Sequence, residues 1–213
     1  MDKIDFKKEY KDLYKPSCSP MLIEVPKMLF IAIDGCGDPN TGAEYKEAIE
    51  ILYGLSYAIK MSKNGQRRPE GYFDYVVAPL EGLWDIGEDF FDHTNAINKD
   101  SFVWTSMIRQ PDFVTENVFN DAKQHLKNKK PQLDADKARL MLFEEGLCVQ
   151  MMHKGSYDDE PETVGLMKKF AEENGYIEDF ESGRRHHEIY LSDPRRCAPD
   201  RLRTVIRHPV RKV

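Results

Sequence analysis

No apolar run among the 213 residues approaches the roughly 18 that a membrane-crossing helix requires. The first residues, Met1 to Phe6, are charged and lack the apolar stretch of a secretory signal, so a cytoplasmic protein is expected. Four cysteines, Cys18, Cys36, Cys148 and Cys197, lie far apart with no CxxC pair, which fits reduced thiols rather than a disulfide framework or a zinc ribbon. Twelve prolines and 13 glycines are too few for a collagen-like or disordered chain. The glycines after the first apolar run do not complete a nucleotide loop. Gly35-x-Gly37 is followed by Asn40 where a third glycine belongs, and no Lys-Ser/Thr follows Gly42. No histidine pair has the i, i+4 spacing of a helical zinc site, so no metal and no cofactor is expected. No helix-turn-helix segment is legible, which argues against a complete transcription factor.

What is present is ordinary globular composition, 40% hydrophobic and 32% charged, enough for one sizeable core. The net charge of −6 is unevenly spread. Arg184 to Val213 carries nine Lys/Arg against Glu188, Asp193 and Asp200, a local +6 within an otherwise acidic chain. Because these bases alternate with Leu202, Thr204 and Ile206, the segment reads as a strand with a basic polar face, and nucleic acid is not expected as a partner.

Residues 1–20 are polar and read as a lead-in outside the core. Met28 to Asp34 reads as a buried strand. A capping box, Thr41-x-x-Glu44, is expected to open a helix with Tyr45, Ala48, Ile49, Leu52, Leu55 and Ile59 on one stripe, stopped at Asn64-Gly65. Tyr72–Pro79 and Ser101–Gln110 read as strands, and Phe113–Lys127 as a second helix. Arg139–Phe143 and Leu147–His153 read as strands joined in a hairpin at Glu145-Gly146. Asp159 is expected to cap a third helix with Pro161 at its first position, ending at Asn174-Gly175. His187–Leu191 and Leu202–Arg207 close the chain as strands. The order strand, helix, strand, strand thus occurs twice, over 28–110 and 147–209. The expected class is α+β, two β-α-β-β modules with a ligand groove where they meet.

Alternation along His186-His187-Glu188-Ile189-Tyr190-Leu191 places His186, Glu188 and Tyr190 on one face and His187, Ile189 and Leu191 on the other. A carboxylate flanked by imidazole and phenol is either part of an exposed polar edge or a groove-floor group suited to base work or cation binding. Only two tryptophans occur, Trp84 and Trp104. With Tyr157, in the turn His153-Lys154-Gly155-Ser156-Tyr157-Asp158, they could wall a pocket for a flat or cationic ligand.

The His-x-Gly-x-Tyr-Asp turn and the later Glu-Ile-Tyr-Leu strand resemble the GyrI-like small-molecule-binding superfamily. The stretches Pro79–Trp84, Phe102–Pro111, Glu144–Pro161 and His186–Arg196 resemble its stand-alone subfamily without a DNA-binding domain, over nearly all of residues 20–213. Ser156 stands where the wider family commonly has Pro. The resemblance implies an SHS2-type duplication with pseudo-two-fold symmetry, over residues 21–213, that binds planar, hydrophobic or cationic small molecules. It further implies a cyclopropanoid cyclopropyl hydrolase. On that reading Glu188, Tyr190 and His186 are the catalytic candidates, and Trp84, Trp104 and Tyr157 the ligand-binding ones. Passive sequestration or sensing is the alternative, and an interaction protein shielding gyrase is a third class. No membrane partner is expected, and oligomeric state is left open.

Overall fold

A computed structural model describes residues 3–64, 68–85 and 102–213. Among them the elements run α1 (Phe6–Glu9), α2 (Lys11–Tyr14), β1 (Met21–Val25), β2 (Met28–Cys36), α3 (Ala43–Met61), β3 (Leu80–Asp85) and β4 (Val103–Arg109). They continue as α4 (Glu116–Lys129), β5 (Arg139–Phe143), β6 (Gly146–Lys154), α5 (Glu160–Glu173), β7 (Tyr176–Glu178), β8 (His186–Tyr190) and β9 (Arg203–Lys212). The protein is α+β, built on an antiparallel sheet ordered β1-β6-β9-β8-β3-β4-β2-β5, with β7 on β9.

Two connections curl this sheet. Val25 and Met28, and again Phe143 and Gly146, are three residues apart in sequence although their strands stand at opposite ends of the strand order. A chain that short spans at most about 11 Å, so the two ends of the sheet come together. Glu145, in one of these connections, reaches His187 on the middle strand β8, so the ends close over the face that carries His187.

The opposite face is covered by helices. On α5, Val164, Met167 and Ala171 bury against Val149, Met151, Ile206 and Val210 of β6 and β9. The stripe on α3 buries Tyr45, Ala48, Leu52, Leu55 and Ile59 toward β2 and β4. Ile206 lies opposite Glu188 in the β8–β9 register, and Tyr45 meets Trp84 and Trp104, so α3 and α5 share the face of Glu188.

Several local expectations are corrected. Glu145-Gly146 makes a tight connection, with Gly146 at φ +70°, but its flanking strands do not pair. β5 bonds β2 and β6 bonds β1 and β9, and the Glu145 side chain between them bonds His187 and Arg207. Tyr72–Pro79 contains no strand, only a bridge from Tyr75 to Ile4; its aromatics pack instead on Phe113, and the strand follows at Leu80. The capping box does not form. The Thr41 hydroxyl donates to Asp38, and Gly42 stands at the N-cap. The second helix starts later than expected, capped by Thr115, whose hydroxyl accepts from the Val118 N–H. Asp159 makes no side-chain cap. The Asn174-Gly175 stop does form, with Gly175 at φ +81°. Gly65 and Ser101 lie outside the described residues. Residues 1–20, read as outside the core, contribute Phe6, Leu13 and Tyr14 to it. On β9 Arg207 is fully buried, not part of a solvated basic face.

Candidate functional site

Between α3 and α5 an open groove of about 1700 Å³ runs over β3 and β8, the pair at the centre of the strand order. Alternation on β8 sends His186, Glu188 and Tyr190 to this face, as the sequence pattern implies. The β3 register sets Trp84, Gly82 and Leu80 opposite them. Trp84, Tyr157, Glu188 and Tyr190 all line the groove.

The polar atoms are already organised. Trp84 Nε1 donates to the Tyr190 hydroxyl at 3.0 Å. Gly82 makes this bond possible: a Cβ there would lie 2.8 Å from Trp84 Nε1 and 3.1 Å from the Tyr190 oxygen. Glu188 Oε1 lies 3.1 Å from His186 Nε2. Burial pushes the Tyr190 phenol well above its usual range, and the neighbouring Glu188 charge and hydrogen bond push it the same way. Burial raises Tyr45 to about 12, with the Glu188 charge adding to the shift. Tyr157 is raised by burial and then by the charges of Glu188 and Glu160. All three phenols are therefore neutral hydrogen-bond donors at physiological pH.

The turn that carries Tyr157 is pinned from both sides. Gly155 takes φ +135°, and His153 bridges the Ser156 carbonyl oxygen (2.9 Å) and the Thr163 hydroxyl of α5 (2.8 Å). Ser156 caps the turn, its hydroxyl accepting from the Asp158 N–H. The Tyr157 ring meets Tyr190 edge to face at 6.2 Å.

Trp104 is placed differently. It is fully buried, its ring against Gly35, and it meets Tyr45 edge-on at 5.0 Å. It props up the wall rather than lining it. Tyr45 and Phe102 are among the wall residues that the sequence pattern does not reveal, Tyr45 because it lies on an ordinary core stripe of α3. The second missed residue class is the support behind Glu188. His186 Nδ1 lies 2.6 Å from His208 Nε2, and His208 Nδ1 lies 2.6 Å from Glu178 Oε1.

Glu160 joins His186 and Glu188 in a group whose ligand atoms lie within 4.8 Å of one another, the grouping among the described residues that could hold a cation. Both ring nitrogens of His186 are engaged, by Glu188 and by His208.

The site thus joins an aromatic wall to a carboxylate floor on an α+β frame, the build of a small-molecule-binding protein. The chain belongs to the GyrI-like family, matching the GyrI-like small-molecule-binding domain over residues 19–211. The crystal structure of a hydrolase from Listeria innocua is 47% identical with a TM-score of 0.89, covering 98% of this chain and 100% of that one. An uncharacterized conserved protein from the same organism is 48% identical with a TM-score of 0.91, over the same shares. The C-terminal domain of EcmrR, 14% identical with a TM-score of 0.53 over 92% of this chain and 98% of that one, shares the fold alone. No curated protein matches the sequence. Among the described residues no helix is long and apolar enough to cross a membrane.

Proposed function

We propose that the groove binds planar, hydrophobic or cationic xenobiotics and hydrolyses electrophilic cyclopropanoid compounds of the DNA-alkylating type. The observation that carries this reading is Glu188 at the groove floor, next to His186 and Tyr190 and beneath the Trp84–Tyr190 hydrogen bond. Kinship with a Listeria innocua protein described as a hydrolase supports it. The frame is proposed to be a duplicated one. Exchanging β2-α3-β3-β4 with β6-α5-β8-β9 maps the strand order β6-β9-β8 onto β2-β4-β3, so the groove falls on the pseudo-two-fold axis between β3 and β8.

In the reaction, water attacks the cyclopropane methylene carbon while the ring C–C bond breaks. The bonding electrons pass through the conjugated dienone to its oxygen, giving a phenolate. Glu188 takes the proton from water and returns it to the phenolate, so the net change is addition of one water. General-base help of this kind is worth about 10²–10⁴ in rate. Tyr190 and His186 orient the carboxylate. Trp84, Tyr157 and Tyr45 hold the flat substrate and keep bulk water out, with Trp104 behind Tyr45.

The test is turnover of a cyclopropanoid cyclohexadienone, followed as ring-opened product over many equivalents. Glu188→Gln should lower kcat by about 10²–10⁴ while ligand still binds. Consumption of a single equivalent by the natural protein would favour sequestration, with Glu188 as a counter-charge. Wild-type turnover by Glu188→Gln would remove the base assignment.

A further inference from the structure

Behind the groove floor runs a buried chain of four titratable groups on three strands: Glu188 and His186 of β8, His208 of β9 and Glu178 of β7. Its three contacts are 3.1, 2.6 and 2.6 Å long. His186 and His208 are buried, whereas Glu178 keeps 17% of its side chain open to solvent on the far side of β9 from the groove. Each contact can hold one hydrogen. When Glu178 is ionised it accepts from His208 Nδ1–H, which leaves His208 Nε2 to accept from His186 Nδ1–H. The lone pair of His186 Nε2 then faces the Glu188 carboxylate, and that contact closes only if the two share one more proton. On His186 this proton leaves Glu188 a carboxylate fit for base work; on Glu188 it leaves a carboxylic acid.

We propose that Glu178 and His208 are positioning residues that set the proton held between His186 and Glu188, so that charge at the rear surface of the protein tunes the group on the groove floor. The proposal rests on Glu188 being the working group of the groove. Directions of charge agree with it. Burial lowers His208, a shift that the His186 charge reinforces and Glu178 opposes. Burial would raise Glu178, but its bond to His208 and the charges of His208, Lys168 and His186 together hold it below the usual carboxylate range. Other groups face the chain. Tyr45 of α3, Tyr157, Glu160 of α5 and Tyr190 surround Glu188, Lys168 of α5 acts on Glu178, and the Glu145 charge acts on His208. None of them bridges His208 to Glu178, so the rear end can be altered alone.

The test is a pH titration of the ¹⁵N-labelled imidazole of His186 by NMR, on the full chain without substrate. Glu178→Gln keeps size and hydrogen bonding but removes the negative charge that stabilises the extra proton. The His186 midpoint should fall by about one pH unit. Glu178→Asp keeps the charge and should restore most of the shift, whereas loss of β7 packing alone would move both variants alike. An unchanged His186 midpoint in Glu178→Gln, or equal shifts in both variants, would overturn the proposal. A second readout is the pH profile of turnover: Glu178→Gln should move the kcat limb in the same direction with KM changed less than about twofold. Absence of turnover in the natural protein would count against the hydrolase reading alone, because the NMR titration decides the coupling without it.

Discussion

His187 and Glu188 are neighbours on β8, yet they belong to polar clusters with different designs. His187 bridges Glu81 (3.1 Å) and Glu145 (3.0 Å), and Arg207 closes the cluster through Glu145 (2.9 Å), Gln150 and the Leu13 carbonyl oxygen. Tyr14 of α2 donates to Glu81. Two carboxylates meet one arginine and one histidine, and all four are sealed from solvent by the curled sheet and the N-terminal helices. On the other face Glu188 sits at an open groove, with an imidazole on one side and neutral phenols around it. The first cluster is balanced in charge and closed. The second sets Glu188 beside His186 and a further carboxylate, Glu160, with room for a ligand. A buried charge that is matched on all sides serves the fold, and one held beside empty space is available for chemistry.

The largest expected effect lies at Arg207. Arg207→Ala leaves Glu145 buried with His187 as its remaining cationic partner and should destabilise the fold by about 3–5 kcal/mol, read from urea unfolding. Any protein that still folds should keep ligand affinity.

The closed cluster also predicts a pH dependence of stability. Burial would lower His187, but Glu145 and the bonds to both carboxylates outweigh it and raise the imidazole from 6.5 to about 9. Its contribution is complete below about pH 6.5 and is lost as pH rises through about 9. Burial would raise Glu145, but His187 and Arg207 hold it at about 2, down from 4.5. That contribution is complete above about pH 4.5 and is lost as pH falls toward 2. Thermal unfolding should therefore show greatest stability between about pH 4.5 and 6.5, with a decline of the order of 2 kcal/mol toward pH 9. In His187→Gln the alkaline decline should flatten.

The smallest expected effect lies in the groove. Gly82→Ala must displace Trp84 Nε1 or the Tyr190 hydroxyl. It should weaken binding of a planar ligand roughly fivefold, about 1 kcal/mol, while the urea midpoint stays nearly unchanged. Equal losses in both would mean that the Trp84–Tyr190 bond holds the fold together rather than shaping the groove.

Strand alternation made the groove face of β8 readable in advance, because period two is a property of the backbone. The glycine turn placed Tyr157 for a similar reason: Gly155 and Gly175 sit where φ is positive. Trp104 was misplaced because alternation gives a residue's face but not its depth, and only the fold shows Tyr45 lying over it. His208 and Glu178 were illegible as a chain with Glu188, since three strands separated in sequence bring them together. Glu145 looked like a turn residue because nothing local signals that a carboxylate will be drawn across a curled sheet. Tyr14 and Phe6 escaped notice within a polar segment too short to show an apolar stripe.

The most direct measurement sets the two neighbours side by side. His187→Gln and Glu188→Gln are each assayed for urea midpoint, ligand affinity and turnover per folded molecule. His187→Gln should lose stability and keep affinity and turnover, while Glu188→Gln should keep its midpoint and affinity and lose turnover. If Glu188→Gln unfolds as readily as His187→Gln, or His187→Gln loses turnover while still folded, the division of labour between the two faces of β8 is wrong.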